Sequence, residues 1–272
     1  MSWMKLAAFS AGLLVVAAGA QAAVCGPAVL PIGGDRIWAE VKGAGTATVV
    51  FEAGFGNDSS VWTAIEPRIR AAGVRTLVYD RAGMGKSTID TGEPYSLDND
   101  ARILRTVLAR CGVDAPVVFV GHSYGGAIGL VAAAQDRQIK GLVLLDAVVP
   151  GVWPDSEVAK NLGAMRAQYQ EIRDKAPALA KVAIPFAEAL PVTAREVNGL
   201  TVPDTLPIID IVAEHGQHDP QSGAVWQQAH AAFTAGHANR QAVLAKGSSH
   251  KVMQDQPDLV VHSILAMLKQ TG

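Results

Sequence analysis

Short apolar runs alternate with helical patterns along most of the chain. The runs are rich in β-branched residues, as in strands buried on both faces. They cover Ala47–Phe51, Thr76–Tyr79, Val117–Val120, Leu142–Leu145, Ile208–Val212 and Gln241–Leu244. Between them, apolar residues recur at helical spacing, as at Leu97, Ala101, Leu104 and Leu108. This alternation predicts an α/β fold with a mostly parallel, twisted sheet that helices cover on both faces.

One long segment departs from this rhythm. Residues 147–206 contain no convincing strand pattern, and seven prolines lie from Pro150 to Pro207. A helical stripe begins at Val158 and ends at Ile172. The segment is too long for a plain connection between neighbouring elements. We therefore expect a helical lid, inserted after the strand that ends at Leu145.

The N-terminal residues have the pattern of a secretory signal peptide. Lys5 precedes an apolar run over 6–18 that is too short to cross a bilayer, and small residues follow near Ala22. The sequence predicts cleavage of residues 1–22 and an exported mature chain, periplasmic or secreted, without a membrane span. A single domain over 23–272 is expected.

Composition excludes several classes of protein. Hydrophobic residues make up 49% of the 272, which excludes a disordered chain, and two cysteines exclude a disulfide scaffold. The 23 basic residues are balanced by 25 acidic ones, so we expect no nucleic-acid partner. Nothing in the sequence points to an oligomeric state. Cys25 and Cys111 could form a disulfide in an exported protein or stay as free thiols.

The motif Gly121-His122-Ser123-Tyr124-Gly125 carries the chemistry. It follows a predicted buried strand and opens an alanine-rich helix. A sharp strand-to-helix turn of this kind lifts a serine hydroxyl out of the sheet, and the flanking glycines let strand and helix approach closely. Ser123 is therefore the predicted nucleophile.

With this motif the chain resembles the α/β-hydrolase superfamily, from about Ile37 to Leu268. The resemblance also rests on the segments 51–56, 80–87 and 247–250. It departs from the usual family pattern at Ala53-Gly54, where members have His-Gly. It implies a base at His250, in the loop after the last strand. Oxyanion donors are expected from the backbone N–H groups of Phe55 and Tyr124.

Two aspartates compete for the role of the acid that orients His250. The family most often places this acid in a Gly-x-x-Asp motif after the lid, which Gly216–Asp219 spells. Asp219 lies about three residues beyond the usual register, however, whereas Asp146 directly follows the strand that ends at Leu145. Asp146 is the predicted acid, and Asp219 is the alternative.

The proposed chemistry needs neither metal nor cofactor. His215, His218 and Asp219 have a spacing that can bind zinc, with His230 as a fourth candidate, but one tight loop is a weak ligand set. The sequence thus predicts a serine hydrolase that cleaves a carboxylic ester or related acyl bond of a small molecule. The alternative is a hydrolase-like small-molecule receptor with little or no turnover.

Overall fold

The computed structural model describes residues 25–114, 116–216 and 219–272, and the predicted signal peptide lies outside them. Its eight strands form one sheet in the order β1-β2-β4-β3-β5-β6-β7-β8. Only the pairs β1–β2 and β2–β4 are antiparallel, and the other pairs are parallel. The strands are β1 (Ala28–Ile32), β2 (Asp35–Lys42), β3 (Thr48–Glu52), β4 (Arg75–Tyr79), β5 (Val117–His122), β6 (Ile139–Leu145), β7 (Ile208–His215) and β8 (Arg240–Ser249).

Helices connect the parallel strands. They are α1 (Glu66–Ala71), α2 (Leu97–Arg110), α3 (Tyr124–Gln135), α4 (Asp155–Ala167), α5 (Tyr169–Lys175), α6 (Pro177–Asn198), α7 (Pro220–Thr234), α8 (Val252–Asp255) and α9 (Pro257–Thr271). None of the helices in the described residues is both long and apolar enough for a bilayer crossing.

The central strands are buried on both faces, as the apolar runs predicted. Val49 and Phe51 of β3 pack into one core with Val118 of β5. Val50 and Phe119, the alternate residues, belong to a second core on the opposite face. Since successive side chains in a strand point to opposite faces, a continuous apolar run fills both cores. The predicted α/β fold is confirmed.

Strand ends differ from the predicted ones where polar residues continue the extended backbone. β5 runs on to His122, and β7 runs three residues past Val212 to His215. β8 reaches Ser249 through residues that are mostly not buried. His122 is buried, whereas Glu214 and His215 are exposed. Polar residues end an apolar run whether or not the strand continues, so the run does not predict these strand ends.

The segment between β6 and β7 consists of α4, α5 and α6 and contains no strand. α6 is the longest of these helices, although Pro185 and Pro191 lie inside it and cannot donate backbone hydrogen bonds. Its buried face, which includes Phe186 and Leu190, is directed into the protein. We call α4, α5 and α6 the helical insertion, and their action as a lid remains a prediction.

Cys25 and Cys111 form a disulfide with a Cα–Cα distance of 5.0 Å. Cys111 caps the C-terminus of α2, and the Cys25 carbonyl accepts a hydrogen bond from the Val41 N–H of β2. The bond therefore ties the start of the described chain to the α2 layer. Closing a loop of 86 residues contributes roughly 4–5 kcal/mol in the chain-entropy model.

Candidate active site

Ser123 occupies the turn between β5 and α3. Its backbone has φ 53° and ψ −124°, a conformation that costs a non-glycine residue about 1–3 kcal/mol. The turn is fixed to the end of β6, because Ser123 N–H donates to the Leu145 carbonyl at 3.1 Å and Val148 N–H donates to the Ser123 carbonyl at 2.9 Å. The strained turn thus sets Ser123 beside Asp146.

The glycines of this motif are required by close backbone packing. A Cβ added at Gly125 would lie 2.6 Å from the Ala53 carbonyl oxygen, and one at Gly121 would lie 2.9 Å from the Gly125 carbonyl oxygen. Real Cβ atoms do not approach other atoms so closely. Only glycine therefore allows α3 to begin this close to β3 and β5.

Asp146 and His250 are in direct contact, and both are buried. His250 Nδ1 lies 2.6 Å from Asp146 Oδ2. Asp146 follows β6 directly, and His250 follows β8 directly. Among the described residues, Asp146 and Ser123 are the non-glycine residues with positive φ. The two predicted triad partners of Ser123 therefore lie together at the carboxyl edge of the sheet.

The second oxygen of Asp146 has partners that sequence reasoning missed. Oδ1 accepts hydrogen bonds from the Trp226 indole N–H at 2.9 Å and from the Ala213 N–H at 3.1 Å. Burial raises the pKa of the Asp146 carboxyl, but the hydrogen bonds from His250, Ala213 and Trp226 outweigh it and hold that pKa below its ordinary value. Asp146 is accordingly a buried, ionised carboxylate. The buried face of α7 could have indicated Trp226 as a core residue, but not its partner.

His122 is the last residue of β5 and is buried directly before Ser123. Its Nε2 lies 2.9 Å from the His250 backbone carbonyl, which can only accept, so a neutral Nε2–H tautomer fits. Burial lowers the pKa of His122 to about 3. The ring centroids of His122 and His250 are 4.6 Å apart, so an uncharged His122 ring packs against His250.

The predicted oxyanion donors belong to two segments that meet at Ser123. Tyr124 is the first residue of α3, and the Gly54–Phe55 loop comes so close that a Cβ added at Gly54 would lie 3.1 Å from Ser123 Cβ. Neither the Phe55 nor the Tyr124 N–H donates a hydrogen bond to another described residue. Their role as oxyanion donors remains a prediction.

Asp219, the alternative acid, lies away from the contact between Asp146 and His250. It caps the N-terminus of α7, where its side chain accepts hydrogen bonds from the N–H groups of Gln221 and Ser222, and it forms an exposed ion pair with Lys160. The structure shows no contact between Asp219 and His250.

The candidate zinc ligands are not brought together within the described residues. His215 is exposed, and His218 lies outside the described part of the chain. His230 is buried inside α7, where its Nδ1 lies 2.8 Å from Asp210 Oδ2. No group of three potential ligands occurs among residues 25–114, 116–216 and 219–272.

Comparison with known families identifies the fold. The family model described as alpha/beta hydrolase fold matches residues 47–184, which span β3, the serine turn and Asp146. This chain belongs to the α/β-hydrolase family.

Relatives of this α/β-hydrolase extend the match to most of the chain. The YqjL protein of Bacillus subtilis is 28% identical over 223 residues, covering 80% of this chain and 82% of YqjL. Lipase LipV of Mycobacterium tuberculosis is 42% identical over 71 residues, about a quarter of either chain. A solved structure from a study of carboxylesterases of Nitrososphaera gargenis shares the fold. Its TM-score is 0.68 at 13% identity, and the match covers 89% of this chain and 98% of that one. The solved structure shows that the fold is shared, and the YqjL match covers most of both chains.

In this α/β-hydrolase the helical insertion contacts both oxyanion candidates. The Phe186 ring of α6 stacks on the Phe55 ring with centroids 3.9 Å apart and meets the Tyr124 ring edge-on at 5.0 Å. Tyr95 meets Phe186 edge-on at 5.5 Å. Aromatic rings of α6, the Gly54–Phe55 loop, the loop before α2 and the first residue of α3 therefore form one cluster.

Proposed function

We propose that this chain is an exported serine hydrolase that cleaves a carboxylic ester, or a related acyl bond, of a small molecule. The observation that carries the proposal is the 2.6 Å contact between His250 Nδ1 and the buried Asp146 carboxylate, formed beside a serine held on strained backbone. A carboxylate, an imidazole and a serine hydroxyl in this order are the parts of a nucleophilic triad.

In the proposed acylation, His250 Nε2 takes the proton of Ser123 Oγ as the oxygen attacks the acyl carbon. The carbonyl oxygen becomes an oxyanion and accepts hydrogen bonds from the Phe55 and Tyr124 N–H groups. Each such donor is typically worth a factor of about 10²–10³ in turnover. When the tetrahedral intermediate collapses, His250 gives its proton to the leaving alcohol, and an acyl-Ser123 ester remains.

Deacylation repeats the steps with water. His250 accepts a proton from water, the hydroxide attacks the acyl-Ser123 carbon, and the proton returns to Ser123 Oγ as the carboxylic acid leaves. Asp146 stays ionised throughout. It fixes the His250 tautomer, with the proton on Nδ1, and stabilises the imidazolium in both halves of the reaction.

Labelling with a fluorophosphonate probe, followed by an ester panel graded by acyl length, tests this proposal. We expect the wild type to be labelled and to hydrolyse at least one ester, and Ser123→Ala to lose both properties. Ser263→Ala is the matched control, because Ser263 is a buried serine of α9 whose hydroxyl donates to the Leu259 carbonyl. Labelling of Ser123→Ala would refute the nucleophile, and labelling without turnover of any ester would favour the receptor alternative.

Export is the second part of the proposal. The signal-like N-terminus supports it, and so does the Cys25–Cys111 disulfide, because such bonds persist in oxidising compartments. N-terminal sequencing of the protein recovered from periplasm or culture medium should begin at residue 23, directly after the predicted cleavage site. A chain recovered only from the cytoplasm, with Met1 retained, would contradict export.

A further inference from the structure

Arg81 is a buried cation directly beneath the Gly54–Phe55 loop. Only 5% of its surface is exposed. Its Nη2 donates to the Gly54 carbonyl at 2.7 Å, and its Nη1 donates to the Ala53 carbonyl and to Glu52 Oε1. The guanidinium therefore holds two successive carbonyls of the loop that carries the Phe55 N–H.

The Gly54 carbonyl and the Phe55 N–H belong to the same peptide group. A positively charged donor on the carbonyl oxygen draws electron density from the peptide nitrogen, so the N–H becomes a stronger donor. The same contact fixes the plane of the peptide. One residue can thus control both the strength and the direction of the Phe55 N–H.

The two proposed oxyanion donors have different surroundings. Tyr124 N–H lies at the N-terminus of the 12-residue helix α3, where the helix dipole favours negative charge. Phe55 lies in a loop, and no helix begins there. Arg81 contacts this loop through the Gly54 carbonyl. Its positive charge has the same effect on the Phe55 N–H as the helix dipole has on the Tyr124 N–H: it favours negative charge nearby.

We propose that Arg81 is a positioning residue that orients and polarises the Gly54–Phe55 peptide for transition-state stabilisation. This inference rests on the proposed function, since the Phe55 N–H matters only where an oxyanion forms beside Ser123. It assigns a role in the reaction to the segment 80–87, which entered the sequence analysis only as part of the family resemblance.

Three variants distinguish polarisation of the Gly54–Phe55 peptide from a purely structural role of Arg81 in the loop. Arg81→Met removes the charge, whereas Arg81→Lys keeps a charge that can reach fewer carbonyls. Glu52→Gln is the matched control, because it alters the same buried pair but leaves the guanidinium on the Gly54 carbonyl. Burial raises the pKa of Glu52, and glutamine keeps a side-chain oxygen that can accept from Arg81 Nη1.

The readouts are kcat and KM for the best ester of the wild type and the amide proton chemical shift of Phe55. For Arg81→Met we expect a kcat about 10- to 100-fold lower, with KM within threefold, and an upfield shift of the Phe55 proton but not of the Tyr124 proton. Arg81→Lys should be intermediate, and Glu52→Gln should keep kcat within threefold.

Equal loss of kcat in Arg81→Met and Glu52→Gln, with the Phe55 shift unchanged, would overturn the inference and leave Arg81 as a brace. If Arg81→Met does not fold, Arg81→Lys decides. A kcat at least fivefold lower with an upfield Phe55 proton supports polarisation, and wild-type values of both refute it. A wild type that hydrolyses no ester would refute the proposed function instead, and the Phe55 shift would still test polarisation.

Discussion

Asp146 and Asp219 follow neighbouring parallel strands at the same edge of the sheet, yet their surroundings are opposite. Asp146 is fully buried and contacts His250, Trp226 and the Ala213 N–H. Asp219 is about half exposed, caps α7 and pairs with Lys160. A carboxylate in water is screened and free to move, whereas a buried one with three donors is fixed in place.

The difference follows from how far each strand extends. β6 ends at Leu145, so Asp146 is the first residue past the sheet edge and lies level with β7, where its N–H donates to the Ile211 carbonyl at 2.7 Å. β7 runs on to His215, so Asp219 comes four residues after a longer strand. By then the chain has turned to start α7. Distance from the strand end therefore distinguishes the two aspartates better than the Gly-x-x-Asp motif does.

The largest loss of ester turnover is expected from Asp146→Asn. An amide cannot hold the His250 tautomer that accepts the serine proton, so ester turnover should fall by about 10³–10⁴-fold. Steady-state kinetics and far-UV circular dichroism on the same sample separate this loss from unfolding. Turnover within tenfold of the wild type would remove Asp146 from the triad.

His122 is a buried histidine that, unlike His250, has no carboxylate partner, and this difference predicts an effect of pH on stability. Its pKa is about 3 in the folded protein because it is buried, against an ordinary value of 6.5. Between these values the unfolded chain binds a proton that the folded chain does not, so this histidine lowers stability as the pH falls from about 6.5 to 3. The contribution is up to about 1.4 kcal/mol per pH unit.

Urea unfolding of the wild type and His122→Gln at pH 7, 5 and 4 measures this effect. Glutamine keeps a donor for the His250 carbonyl but does not titrate, so the loss of unfolding free energy between pH 7 and 4 should be smaller in the variant. The same loss in both proteins would show that His122 is protonated in the folded state.

A smaller effect is expected from Trp226→Phe. The change removes the indole N–H from Asp146 Oδ1 and leaves the Ala213 N–H as a donor to that oxygen. A hydrogen bond to a charged group is worth about 1.5–3 kcal/mol, so turnover should fall roughly 10- to 150-fold. Phe233→Leu, a substitution in the same buried face of α7, controls for altered packing. Equal losses in both variants would argue against a specific role of the indole.

The smallest effect is expected from Asp219→Asn. Asparagine also caps helices well, and the lost pair with Lys160 is exposed and worth little. Turnover should stay within tenfold of the wild type. If Asp219→Asn loses turnover by orders of magnitude while Asp146→Asn does not, the triad acid is Asp219, and the roles proposed for Ser123 and His250 stand.

The sequence by itself determined the α/β fold and the family, because short apolar runs rich in β-branched residues alternate with helical patterns, as in a parallel sheet buried on both faces. It also placed Ser123 at a strand-to-helix turn, since the flanking glycines are needed wherever β3, β5 and α3 meet. These features depend on local backbone geometry and on burial, and both leave periodic patterns in a sequence.

Only the tertiary structure decided which side chains meet. Trp226 lies 80 residues from Asp146, and Arg81 lies 27 residues from the Gly54 carbonyl that it holds. A tryptophan in a helix and an arginine in a loop have the same local pattern whether or not they contact a site. Their partners are fixed by how strands line up along one sheet edge, and this order arises from packing between distant segments.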